Sequence, residues 1–208
     1  MLNKKINSKI IEECVRLFEK NASHEKLFDN CLENMKKINL QSFTEQDAKN
    51  VIKPFLYEWG RMGRVLGQRK YSGWENKLEN LIKKYSPKLE KFRKKDLTSI
   101  ELEKFEGQIR ELYDQFSKVL GKTATGKVLH ILCPDFFPLW DSRIAEAVSS
   151  TGEFDEKDYY NFMLKTKDLL KKYMKTFSNL AAHYGKSKLR ILDEYLWLIT
   201  HDPVSLFI

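Results

Sequence analysis

The segment LEKFEGQIRELYDQFSKVLGKTATGKVLHIL, residues 102–132, sets the fold class. Leu102, Phe105, Ile109, Leu112, Phe116 and Val119 recur at helical spacing and predict one long helix that ends at Gly121. A shorter helix follows from about Thr123 to Leu132. The same period recurs on both sides. Ile10, Ile11, Cys14, Leu17 and Phe18 form one stripe, and Leu27, Cys31, Leu32 and Met35 form a second behind Ser23 as N-cap. A capping box at Thr44–Asp47 opens a third helix, which Pro54 should break, with a new helix then running through Leu66. Trp74 to Tyr85 reads as a helix stopping at Ser86–Pro87, and long helices are expected over 159–177 and from Ser187 onward.

Outside these patterns no stretch alternates as a strand would, and Asn-Gly and Asp-Gly turns are absent. The chain is therefore read as all-α, a two-lobed fold of about eight to ten helices. Residues 1–208 form one helical domain, with a hinge between the lobes expected near residues 86–98. Nine Gly and five Pro in 208 residues are few breakers for such a length, which favours long helices. A chain this long buries roughly 70% of its unfolded surface and needs no staple. Hydrophobic residues at 42% and charged residues at 32% exclude a disordered chain, and no apolar run is long enough to span a bilayer. The opening Met1–Asn7 lacks an apolar export core, so the cytoplasm is the expected location and no membrane partner is expected. Cys14, Cys31 and Cys133 lack the spacing of a disulfide framework and read as reduced, buried thiols.

The net charge of +8 is unevenly spread. Arg69 to Asp96 holds ten basic and four acidic residues, and Lys165 to Arg190 eight basic and one acidic, so the rest of the chain sums to −5. Two basic tracts on a slightly acidic body fit a phosphate backbone, and nucleic acid, DNA before RNA, is the expected partner. The same tracts also fit ordinary solvated helix faces.

Residues 119–148 combine a basic turn bracketed by Gly121 and Gly126, a short helix, the loop Cys133–Trp140 with two prolines, and Asp141 at a helix start. Gly121 to Lys127 matches most of a phosphate loop. However, Val128 replaces the magnesium-binding hydroxyl, and a helix precedes the motif where a strand is needed. His130 and Cys133 share a helix face without a further ligand cluster, so no metal and no cofactor is expected. His130 reads as a hydrogen-bonded interior residue, and Trp197 and Tyr184 as core.

The pattern that remains resembles the helix-hairpin-helix DNA glycosylase superfamily, the group containing endonuclease III and 8-oxoguanine glycosylase enzymes, and the resemblance implies a helix-hairpin-helix-like motif near residues 112–132. Gly121-Lys122-Thr123-Ala124 resembles the hairpin exit that bears the catalytic lysine of bifunctional members, and Pro138-Leu139-Trp140-Asp141-Ser142-Arg143-Ile144 resembles the segment bearing the catalytic aspartate. Lys122 and Asp141 stand nineteen positions apart, as the family's pair does to within one. Arg143 occupies a position where many members carry His. The resemblance implies excision of a flipped, damaged base. Asp141 would stabilise positive charge on the sugar, and Lys122 or Lys127 would form a Schiff base that permits strand cleavage. It further implies DNA contacts from Gly121, Lys122, Thr123, Lys127 and Arg143, and a base pocket or wedge among Phe136, Phe137 and Trp140. The alternative reading keeps the fold and the charge without catalysis, as a helical module that binds nucleic acid or protein. The sequence leaves the lesion and the oligomeric state open.

Overall fold

The computed structural model describes residues 6–21, 25–148 and 152–201, so the expected Ser23 cap falls outside the described residues. Among the described residues the chain is all-α, with eleven α-helices, a few 3₁₀ and π turns, and no strand. The helices are α1 (Ser8–Asn21), α2 (Glu25–Lys37), α3 (Glu45–Asp47), α4 (Gly63–Leu66), α5 (Trp74–Arg93), α6 (Glu106–Leu120), α7 (Lys122–Leu132), α8 (Ser142–Val148), α9 (Glu156–Lys172), α10 (Met174–Tyr184) and α11 (Lys188–His201). The number exceeds the eight to ten expected partly because the stripe over 159–177 is broken at Tyr173 (φ −116°, ψ 32°), which separates α9 from α10.

Two prolines sit inside helices that they were expected to end. Pro87 lies within α5, and it has no N–H for the carbonyl of Lys83 one turn back. The Ser86 hydroxyl donates to that carbonyl at 2.9 Å instead, so the helix runs on to Arg93 across most of the interval read as a hinge. The Arg93 guanidinium then donates to the carbonyls of Leu132 (3.1 Å) and Ile38 (3.0 Å), fixing the end of α5 to two distant segments. Before Pro54, the capping box at Thr44 and Asp47 forms as expected. The helix it opens continues through wide π turns at Ala48–Ile52 and Phe55–Trp59 rather than breaking. Its break comes later, at Gly60–Met62, where Arg61 takes a left-handed φ of +55°.

α6 packs on α5, α7 and α9, while α11 packs on α1, α8 and α10, and α2 lies against α7 and the Phe55–Trp59 turn. A buried apolar cluster runs from Ile11 in α1 to Leu198 in α11. The Cys133–Trp140 loop belongs to it: Phe136 stacks on Phe92 at 4.3 Å between ring centroids, and the Tyr159 hydroxyl donates to the Pro138 carbonyl at 2.9 Å. Arg93, Phe92 and Tyr159 thereby fix the loop that delivers Trp140 and Asp141. No helix among the described residues is long and apolar enough to cross a membrane.

Candidate active site

α6 hands over to α7 through Gly121 alone. Its φ of +78° with ψ of 163° lies in backbone space open essentially to glycine, and a Cβ there would stand 2.7 Å from the Tyr71 hydroxyl. One and a half turns on, Gly126 lets the Trp140 ring come against the α7 backbone, since a Cβ would lie 2.9 Å from its Cδ1. Lys127 follows, and its ammonium donates to the Gly60 carbonyl at 3.1 Å and sits 5.2 Å from the Trp59 ring centre. That carbonyl is presented by the break after the π turn. The Gly60 N–H reaches back to Phe55 at 2.8 Å, and a Cβ at Gly60 would press within 2.9 Å of the Leu56 carbonyl. π turns and left-handed non-glycine residues concentrate at functional sites, and here both occur within one short segment.

Asp141 caps α8. Its Oδ1 accepts the Ile144 N–H at 2.9 Å, and its Oδ2 pairs with His201 Nε2 at 3.2 Å. The His201 ring stacks on Trp197 with centroids 4.7 Å apart and planes within 9°. One turn and two turns earlier on the same helix, Asp193 and Arg190 contact each other through Oδ2 and a guanidinium nitrogen, and Arg190 also binds Glu25 of α2. The Arg190 guanidinium lies against the rings of Phe28 (4.7 Å) and Trp59 (5.3 Å).

These groups surround a cavity of about 740 Å³. Trp59, Trp140, Trp197 and Phe18 supply its aromatic wall, and Lys127, Asp141, Arg190 and Asp193 are among its ionisable groups, with Glu25, Arg61 and His201. The size falls within the roughly 300–1,000 Å³ of small-molecule sites. Burial pulls the Lys127 amine below the ordinary lysine range, partly offset by the anionic Asp141 and Asp193. Burial also pushes the Asp193 carboxyl up to about 6, against the pull of Arg190. Behind them Glu194 is pushed up to about 8 by its burial, although Arg190 and Lys186 both oppose the shift.

The residues singled out in the sequence divide into two groups. Lys127, Thr123, Trp140 and Asp141 line the cavity. Lys122 does not: it is exposed, its ammonium donates to the Glu153 carbonyl, and its own carbonyl accepts from the Tyr113 hydroxyl at 3.0 Å. The two groups brought to one cavity are therefore Lys127 and Asp141, fourteen positions apart, and not the pair nineteen apart. Phe136 and Phe137 are fully buried against Phe92, away from the cavity wall, where neither can touch an entering base. Arg143 is exposed and donates to the His201 carbonyl at 3.5 Å. His130 is interior as expected, bonded through Nδ1 to the Phe137 carbonyl at 2.8 Å, and its burial holds the imidazole down to about 4, hence neutral. Trp197, expected in the core, is 38% exposed.

Arg190, Asp193, His201 and Trp197 were not singled out as site residues from the sequence. The signal lay in KLRILDEYLWLITH, residues 188–201: Arg190, Asp193, Glu194 and Trp197 fall at i, i+3, i+4 and i+7, a charged stripe inside an otherwise apolar helix. Among the described residues no group of three metal-ligating side chains comes together. The two basic tracts are joined by an ion pair between Lys188 and Asp96 at 2.8 Å. Comparison of the chain with known protein families, with curated proteins and with solved structures finds no match.

Proposed function

We propose that this protein binds DNA and excises a damaged base in the manner of the helix-hairpin-helix glycosylases, with Lys127 as the amine and Asp141 as the fixed anion. One observation carries the reading: a half-buried lysine whose proton affinity is depressed and a helix-capping carboxylate line the same aromatic cavity. A flipped base needs a pocket with apolar faces, and Trp59 and Trp140 supply them. Loss of the base builds positive charge on the sugar. Asp141, held at both oxygens by Ile144 and His201, is oriented to meet that charge without reorganising. Lys127, easier to deprotonate than a solvated lysine, attacks C1′ and gives the Schiff base from which strand cleavage proceeds. Lys122 and Arg143, both outside the cavity, are assigned to the phosphate backbone together with the first turn of α7.

The test is incubation of the protein with a panel of labelled duplexes, each carrying one oxidised, deaminated or alkylated base. Cleavage of at least one, abolished in Asp141→Asn while DNA affinity persists, supports the reading. The non-catalytic alternative, a helical binding module, draws on the exposed position of Lys122. It is favoured if no duplex is cleaved and Asp141→Asn leaves affinity and its salt slope unchanged.

A further inference from the structure

Three carboxylates, Glu25, Asp141 and Asp193, line the cavity with Lys127, and the two aspartates differ in their surroundings. Asp141 is half-buried and has both oxygens engaged, Oδ1 by the Ile144 N–H and Oδ2 by His201. Asp193 is 7% exposed on α11 and contacts Arg190 of the same helix through Oδ2. The charges that bear on it come from every side: Arg190 from α11, Glu25 from α2, Lys127 from α7, and Asp141 from the start of α8. A carboxylate taken out of water and set among other charges is suited to exchange a proton near neutral pH.

We propose that Asp193 is the proton acceptor and donor that serves Lys127. The inference rests on the reading of Lys127 as the reacting amine. In the first step the Lys127 ammonium gives a proton to the Asp193 carboxylate, leaving a neutral amine and a neutral acid. The amine nitrogen then adds to C1′ of an open-chain abasic sugar, and the carbonyl oxygen becomes the hydroxyl of a carbinolamine by taking the proton that nitrogen releases. In the last step the Asp193 acid protonates that hydroxyl, which leaves as water. The product is an iminium on Lys127, with the Asp193 carboxylate restored. Asp141, on the same cavity wall, exchanges no proton in these steps. The proton affinity of Asp193, raised by burial to about 6, suits a group that must both take and return a proton.

The probe is a duplex containing one natural abasic site, which needs no knowledge of the lesion, and the readout is the rate of borohydride-trapped adduct against pH. Wild type should show a rise through about pH 6, as Asp193 becomes able to accept a proton. Asp193→Asn, which keeps the shape and an acceptor for Arg190, should trap roughly 10²-fold more slowly at neutral pH and lose that acidic limb. Asp193→Glu should recover much of the rate. A purely electrostatic neighbour predicts the opposite sign, because removing an anion beside Lys127 makes the amine easier to deprotonate. An Asp193→Asn variant that traps as fast as wild type or faster therefore overturns the proposal while leaving Lys127 in place. If the Asn variant does not fold, the wild-type profile decides alone: a rate that climbs only with the lysine's own alkaline deprotonation overturns the proposal. No wild-type adduct at any pH overturns this inference and the reading of Lys127 together.

Discussion

Replacing Lys127 by methionine is expected to stabilise the protein, because its amine is drawn out of water with few partners. The ammonium has three donors, of which one reaches the Gly60 carbonyl at 3.1 Å, and the Trp59 face adds a cation–π contact. Against these stands the cost of taking a charge out of water, several kcal/mol per ion after relaxation. The downward displacement of its proton affinity means that burial outweighs the attraction of Asp141 and Asp193. Methionine of similar length removes that cost and keeps the packing against Trp59, but leaves the buried Gly60 carbonyl without its donor, a loss of about 1–3 kcal/mol. The difference is a net gain of roughly 1–2 kcal/mol, which for a chain of 208 residues is a rise in melting temperature of about 2–8 °C. The sign with pH follows from linkage. A base whose affinity is lowered by folding destabilises the native state at neutral pH, and that penalty fades as pH rises toward about 10.4, where the unfolded lysine also becomes neutral. Scanning calorimetry at pH 7 and pH 10 measures both effects. A Lys127→Met variant that melts below wild type at pH 7, or a gain that does not shrink at pH 10, refutes the account of Lys127 as an uncomfortable charge.

Ser86→Ala should cost about 0.5–1.5 kcal/mol in urea denaturation, because the Lys83 carbonyl beside Pro87 loses its donor in a partly buried helix segment; an unchanged midpoint would show that another donor serves it. Gly121→Ala should cost about 2–3 kcal/mol, mostly from the backbone, since the Tyr71 hydroxyl can swing aside. Adding Tyr71→Phe should recover only a small part of that loss, and full recovery would make the clash dominant. Cys14 and Cys133 are completely buried and Cys31 nearly so, with the Cys14 thiol pushed up to about 12 by burial. A thiol reagent at pH 8 should label none of the three quickly in the native protein and all three in denaturant, whereas one fast native site would locate a local opening.

The all-α class was legible because the apolar residues of α5, α6 and α11 repeat at 3.6 and the chain has few breakers. Helix ends governed by one residue's backbone, such as Gly121 and the Thr44–Asp47 box, were legible for the same local reason. Pro87 and Pro54 misled because the repair of the broken ladder is a neighbour's property: a hydroxyl at Ser86 in one case, and wider hydrogen bonding around Ala48–Trp59 in the other. The site was half legible. Asp141 announced itself as a cap ahead of an apolar helix, and α7 was recognisable as the bearer of a lysine. Which lysine lines the cavity is decided by what packs on each face of α7, and the partners are distant in sequence: Gly60 and Trp59 for Lys127, Glu153 for Lys122. His201 and Asp193 were hidden for a related reason, since they meet Asp141 and Lys127 only after α11 docks between α1 and α8.

The central claim is that the reactive amine is the one in the cavity. Trapping the wild-type protein on an abasic-site duplex with borohydride, followed by digestion and mass mapping of the adduct, tests it directly. The modified residue should be Lys127, with Lys127→Met forming no adduct and Lys122→Met retaining it. An adduct on Lys122, or one that survives in Lys127→Met, would contradict the account.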